Sequence, residues 1–176
     1  MYIIGLTGGS GSGKTTVSNY LRKKGFEIID FDLTTRELQK PGEPALAEIV
    51  EAFGPESLLP DGTMNRKYVG KVVFSDPEEK KKLDSIIQKY VDVLITARTD
   101  AFKEAGKNVT RQTNPDDYLQ KKVIFYDHPL LFEVPYNIEP ANEAWVVDSD
   151  DETRIQRILK RDCISREDII KRMNSQ

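Results

Sequence analysis

Apolar positions along the chain follow two spacings. Tyr2-Ile3-Ile4-Gly5-Leu6-Thr7 is a short, nearly unbroken apolar run, and Phe26-Glu27-Ile28-Ile29-Asp30 is a second. Residues 123–126 and 144–147 repeat the pattern. Runs this short, bounded by polar or turn residues, predict strands buried on both faces. Between them the spacing becomes helical. Residues 14–24 carry Val17 and Leu21 on one side and stop at Gly25; residues 45–53 align Leu46, Ile49, Val50 and Phe53 before Gly54-Pro55. Asp76-Pro77 combines a capping carboxylate with proline at the first helical position, which predicts a helix start. From there Leu83, Ile86, Ile87, Tyr90, Val91, Leu94, Ile95 and Phe102 recur mostly at threes and fours, predicting one long amphipathic helix to near Gly106. Residues 151–161 and 165–176 predict two more helices, the second capped by Ser165 with Asp168 at its third position. Pro60-Asp61-Gly62 reads as a turn, and the polar stretch 107–122, containing Asn114-Pro115-Asp116-Asp117, as a loop or lid-like excursion. Strands alternating with helices predict an α/β fold around a parallel sheet.

Composition narrows this picture. A length of 176 residues, 38% hydrophobic and 31% charged, suits one domain with a real core. The net charge of −3 argues against a nucleic-acid partner. The single cysteine, Cys163, excludes an internal disulfide and a multi-cysteine zinc site. No apolar run approaches the roughly 18–20 residues that span a bilayer. The N-terminus has no basic segment ahead of its apolar run, so no signal peptide or anchor is expected, and the cytoplasm is the default location. The Asn108-Val109-Thr110 sequon is then idle.

The first strand runs into Gly8-Gly9-Ser10-Gly11-Ser12-Gly13-Lys14-Thr15, which fits G-x-x-x-x-G-K-[ST] throughout. Small residues let successive backbone N–H groups converge on phosphate oxygens, and the following helix aims its positive end at the same place. In this phosphate loop Lys14 would reach the β- and γ-phosphates and the Thr15 hydroxyl would hold Mg²⁺; Thr16 completes the ATP-binding set. A GTP switch is disfavoured, because no aspartate has glycine three residues later and no Asn-Lys pair occurs. A small-molecule kinase remains.

Such an enzyme needs a base for the acceptor hydroxyl. The second strand ends Ile29-Asp30-Phe31-Asp32, at the sheet edge where ligands of this architecture bind. Asp32 is the candidate base and Asp30 its support or a metal-water contact; the competing assignment is a helix cap for a segment beginning at Leu33. Asp127 closes an apolar strand as a magnesium-binding carboxylate would, or else caps the Pro129 turn. His128, the only histidine, is assigned to packing or to the turn. Arg154, Arg157 and Arg161 form a stripe, either a solvated face or the guanidinium side of a lid that closes on triphosphate. The acidic run 148–152 favours a helix N-terminus.

With these motifs in place, the chain resembles the dephospho-coenzyme A kinases. Ile4-Gly5-Leu6-Thr7-Gly8-Gly9 is similar to the family's opening, and Asp30 and Asp32 match its Asp-x-Asp. Pro41-Gly42-Glu43-Pro44-Ala45-Leu46, Phe53-Gly54, Leu59-Pro60-Asp61-Gly62 with Arg66, and Phe74-Ser75-Asp76-Pro77-Glu78 follow in the family's order. Asp127-His128-Pro129-Leu130-Leu131-Phe132-Glu133 resembles its Asp-x-Pro-Leu-Leu-Phe-Glu. Arg157, Arg161-Asp162, Ser165, Arg172 and Ser175-Gln176 keep the spacing of its lid.

The resemblance implies a P-loop kinase fold: a parallel sheet flanked by helices (about 1–40 and 120–150), a helical acceptor lobe (about 41–106) and a lid (about 151–176). It implies ATP and Mg²⁺, dephospho-coenzyme A as the small-molecule acceptor, and catalytic roles for Lys14, Asp32, Arg157 and Arg161. Three departures stand out. Gln88-Lys89 replaces the family's His-Pro, the 107–122 loop is longer, and the family continues beyond Ser-Gln with a further strand and helix. Arg154 stands where the family usually has glutamine. A related nucleoside or nucleotide kinase and a non-catalytic nucleotide-binding module are the alternatives; a mere binder needs neither Asp32 nor paired lid arginines.

Overall fold

Tyr2–Thr7 (β1), Glu27–Asp30 (β2), Val123–Asp127 (β3) and Glu143–Val146 (β4) pair side by side in the order β2-β3-β1-β4, every pairing parallel. They belong to a computed structural model that describes residues 1–132, 140–162 and 164–174; Glu133, Cys163, Ser175 and Gln176 lie outside the described residues. The helices are α1 (Lys14–Lys23), α2 (Phe31–Leu38), α3 (Pro44–Phe53), α4 (Arg66–Ser75), α5 (Pro77–Ala105), α6 (Asp151–Arg161) and α7 (Arg166–Asn174). Residues 107–122 form turns without a strand or helix. Among the described residues no helix is long and apolar enough to cross a membrane.

The described residues fall into two compact units, one formed by Met1–Asp30 and the described residues from Asp100 onward, the other by Phe31–Thr99. In the first, Ile4 and Leu6 of β1, Phe125 of β3 and Leu21 of α1 form a buried cluster supported by Val17 and Phe26. Phe125 is 1% exposed and meets the ring of Phe26 edge-on at 5.5 Å. Burying one such side chain contributes about 1.5–3 kcal/mol. Because β1 and β3 are central and covered on both faces, their sequences are apolar without alternation.

The expected strand at 144–147 forms one residue earlier, and it is not buried. All four residues of β4 are exposed, Trp145 by 40% and Val146 by 63%. β4 pairs with β1 alone among the described residues, so it sits at the sheet edge. An apolar run marks a strand without saying where in the sheet it lies.

The second unit is helical. Ile49 and Phe53 of α3, Val69 and Val73 of α4 and Ile86 of α5 form its core. Asp76 starts α5 as expected, its Oδ1 accepting from the Glu78 N–H at 2.8 Å. α4 was not foreseen. Gly70 and a β-branched content lower its helix propensity, and burial of Val69 and Val73 overrides that. Asn65 supplies its cap, accepting from the Tyr68 N–H at 3.1 Å.

Candidate active site

β1 ends at Thr7, and the chain turns through residues 8–13 before α1 begins at Lys14. Gly13 occupies the N-cap place in a left-handed conformation, φ 104°, which glycine adopts without strain. No side chain caps α1, so its positive dipole end and the N–H groups of Lys14 and Thr15 are open to an anion, while the Thr16 N–H donates to the Gly13 carbonyl at 2.9 Å. The Ser12 N–H donates to the Gly9 carbonyl at 3.1 Å, tightening the loop. The Ser12 Oγ is buried and has no hydrogen-bond partner among the described residues. A polar atom held this way costs about 1–3 kcal/mol, and a phosphate oxygen would satisfy it.

Lys14 is ion-paired with Asp127 at the end of β3. The carboxylate is 3% exposed and the lysine side chain 17%, so the pair is largely shielded from water. Parallel register sets Asp127 beside Leu6 on one strand and Asp30 on the other, which aligns these strand ends. The Arg22 NH2 lies 3.6 Å from Asp30 Oδ2. Asp127 therefore faces Lys14, and its alternative as a mere cap for the Pro129 turn does not describe it. His128 supplies that turn, its Nδ1 accepting from the Leu130 N–H at 2.8 Å.

Mg²⁺ fits this donor set. Among the described residues there is no group of three or more His, Cys, Asp or Glu side chains placed to hold a metal. Asp127 and the Thr15 hydroxyl offer hard oxygens, to which nucleotide phosphates and water would add the remainder, as Mg²⁺ prefers.

α6 starts on its acidic run: Asp150 Oδ1 accepts from the Thr153 N–H at 2.9 Å, and this bond holds the Asp150 carboxyl below its ordinary range. The arginine stripe divides: Arg154 is half-buried, whereas Arg157 and Arg161 are exposed. Arg154 Nε donates to the Ser10 carbonyl at 3.0 Å, and Arg157 NH1 donates to those of Gly11 at 3.1 Å and Ser12 at 3.0 Å. Arg161 goes elsewhere. It grips Asp162 through Nε at 2.8 Å and NH2 at 2.9 Å, with Arg172 joining at 3.1 Å. That fork, ahead of the charges nearby, lowers the Asp162 pKa.

Ile155 and Ile158 of α6 pack against Ile169 of α7, and Ser165 caps α7 by accepting from the Asp168 N–H at 3.1 Å. Arg166 adds a fork on Glu152, at 3.1 and 2.6 Å, that brings the glutamate from its ordinary 4.5 down to about 2. A depressed carboxyl stabilises above its unfolded pKa and loses that contribution as pH falls. Glu152→Gln should therefore lower the melting temperature slightly above pH 4.5, the difference shrinking toward pH 2. A pH series of melting curves checks this; a constant difference would sever it from the Glu152 charge. The effect stays small because both partners are at least half exposed.

In the helical unit, Asp32 occupies the first turn of α2 and is exposed. α2 begins at Phe31, two residues before the expected start at Leu33, so Asp32 lies within the helix and does not cap it. Between α3 and α5 a cleft of about 710 Å³ is lined by Ala47, Glu48, Lys82, Ile86 and Tyr90, among others. Glu48 Oε2 accepts from Lys89 Nζ and from the Tyr90 hydroxyl, both at 2.7 Å, and the lysine bond above all lowers the Glu48 pKa. Lys89, of the divergent Gln88-Lys89 pair, is thus engaged by α3. Glu48 and Tyr90 escape a reading of spacing, because only the packing of two distant segments brings them together.

A family model described as dephospho-CoA kinase matches residues 2–176. The dephospho-CoA kinase of Geobacter metallireducens is 39% identical over 176 residues, covering 100% of this chain and 80% of its own. The crystal structure of TT1252 from Thermus thermophilus superposes with a TM-score of 0.77 at 28% identity, covering 99% of this chain and 80% of that one. The dephospho-CoA kinase from Campylobacter jejuni, 23% identical, shares the fold with a TM-score of 0.61 over 99% of this chain and 79% of its own. A phosphate loop between β1 and α1, a shielded acidic strand end against its lysine and a match along nearly the whole chain lead to one assignment: the chain belongs to the dephospho-CoA kinase family.

Proposed function

We propose that the chain transfers the γ-phosphate of ATP to the ribose 3′-hydroxyl of dephospho-coenzyme A, giving coenzyme A and ADP, the last step of coenzyme A biosynthesis. The observation that carries this reading is the phosphate loop with Lys14 held against Asp127 at its mouth. When nucleotide enters, residues 8–16 receive the phosphates and Lys14 passes from Asp127 to the β- and γ-phosphate oxygens. The released Asp127 carboxylate and the Thr15 hydroxyl would hold Mg²⁺, which would supply positive charge to offset that of the phosphates. Asp32 takes the 3′-hydroxyl proton as that oxygen attacks γ-phosphorus in line. The bond to the β–γ bridging oxygen breaks, and ADP leaves with that oxygen. Asp30 supports Asp32, while Arg157 leaves the Gly11 and Ser12 carbonyls and Arg161 leaves Asp162 as the lid segment closes, so that both stabilise charge on the phosphoryl group. The helical unit holds the acceptor. The reaction needs only small molecules and belongs in the cytoplasm.

A coupled ADP-release assay tests this. Turnover is expected with dephospho-coenzyme A and Mg²⁺, and only background release with nucleosides or nucleoside monophosphates. A preference for a nucleoside would move the chain to another acceptor.

A further inference from the structure

Two arginines from α6 hold three successive carbonyls of the phosphate loop, those of Ser10, Gly11 and Ser12. In a planar trans peptide the C=O of one residue and the N–H of the next point in opposite directions. Drawing the Ser10 and Ser12 carbonyls toward α6 therefore turns the N–H groups of Gly11 and Gly13 the other way. The intervening N–H, of Ser12, closes the turn onto Gly9 at 3.1 Å. The arginines thus act on the orientation of the anion-binding amides from behind.

Arg154 is the fixed half of this arrangement. Its side chain is 14% exposed, and its NH1 is steadied by Asp151 of the same helix at 3.3 Å. The helix backbone lies directly on the loop at this point. A Cβ on Gly11 would come within 2.7 Å of the Arg154 carbonyl and 3.1 Å of its Cα, and Gly11 itself has φ +78°. Glycine is required there for both reasons, and the contact it permits brings the Arg154 guanidinium to the Ser10 carbonyl.

We propose that Arg154 is a positioning residue of the phosphate cradle, one that sets the Ser10–Gly11 peptide so that its amide faces the nucleotide phosphates. It acts through the loop, its Nε committed to Ser10 and its NH1 to Asp151. The role rests on the nucleotide-binding reading of the loop but not on the identity of the acceptor. Substitution should weaken ATP and ADP alike, because both use the same amides, and should leave the acceptor's KM and kcat nearly unchanged.

The test is calorimetric titration of ADP into the intact chain, paired with steady-state kinetics and melting curves. Arg154→Ala is expected to raise the ADP Kd and the ATP KM about tenfold each, the equivalent of about 1.4 kcal/mol and typical of one hydrogen bond to a charged group. Arg154→Lys, which keeps the charge and can still reach one carbonyl, should recover part of that loss. It also carries the test if the alanine variant does not fold. A fall in kcat with ADP affinity intact would make Arg154 a transition-state contact and overturn the proposal. A lowered melting temperature with unchanged ADP affinity of the folded protein would overturn it too, leaving a structural residue. Full recovery in Arg154→Lys would show that charge alone matters, against the peptide-setting role.

Discussion

Lys14→Ala is expected to lose phosphoryl transfer by about 10² to 10³ or more, the range seen when one donor to developing charge is removed. The structure adds a second effect in the nucleotide-free protein. Asp127 is 3% exposed and is ion-paired with Lys14. Removing one partner of a buried pair leaves the other uncompensated, which costs about 3–5 kcal/mol. The lysine side chain's 17% exposure puts the expected loss at the lower end of that range. In a chain of this size about 1 kcal/mol corresponds to 2–4 °C in melting temperature, so a drop of roughly 6–12 °C follows. The double variant Lys14→Ala/Asp127→Asn should regain most of that stability and none of the turnover. Calorimetric melting with the coupled assay separates the two effects. An unchanged melting temperature in Lys14→Ala would mean the ion pair contributes nothing, and normal turnover would remove the lysine from the mechanism.

Asp32→Asn should cut turnover by about 10² to 10⁴, the usual weight of a lost general base, and leave ADP affinity as it was. The amide keeps the shape of the carboxylate but cannot take the proton. Because Asp32 is exposed in the first turn of α2, the change should also move the melting temperature very little. Asp30→Asn is the informative companion. Asp30 ends β2 beside Asp127 with Arg22 nearby, so its loss should disturb the strand end and weaken turnover less. The reverse ranking would make Asp30 the base.

The features legible in the sequence were those written in contiguous residues. The phosphate loop, the Asp76-Pro77 start of α5 and the whole of α6 each depend on neighbours a few positions apart, where spacing and capping chemistry act directly. What escaped depends on long-range packing. α4 was hidden by Gly70 and valines that only a finished core makes helical, and β4 carried an apolar signal that said nothing of its edge position. The arginine stripe was visible, but its division was not. Arg154 and Arg157 reach residues more than a hundred positions away in the phosphate loop, whereas Arg161 bonds its immediate neighbour Asp162.

Trp145 gives the exposed edge strand a spectroscopic use. It is the sole tryptophan of the chain, and its ring meets Phe125 of the sheet core edge-on at 5.4 Å. Its emission accordingly follows the sheet-bearing unit, and the helical unit of Phe31–Thr99 contributes nothing to it. Far-UV ellipticity, weighted toward helix, samples the second unit heavily. Superimposable denaturation curves from the two probes would mark one cooperative transition. Separated curves would give each unit its own midpoint, and ligand-dependent changes in tryptophan emission would report directly on the strand beside β1.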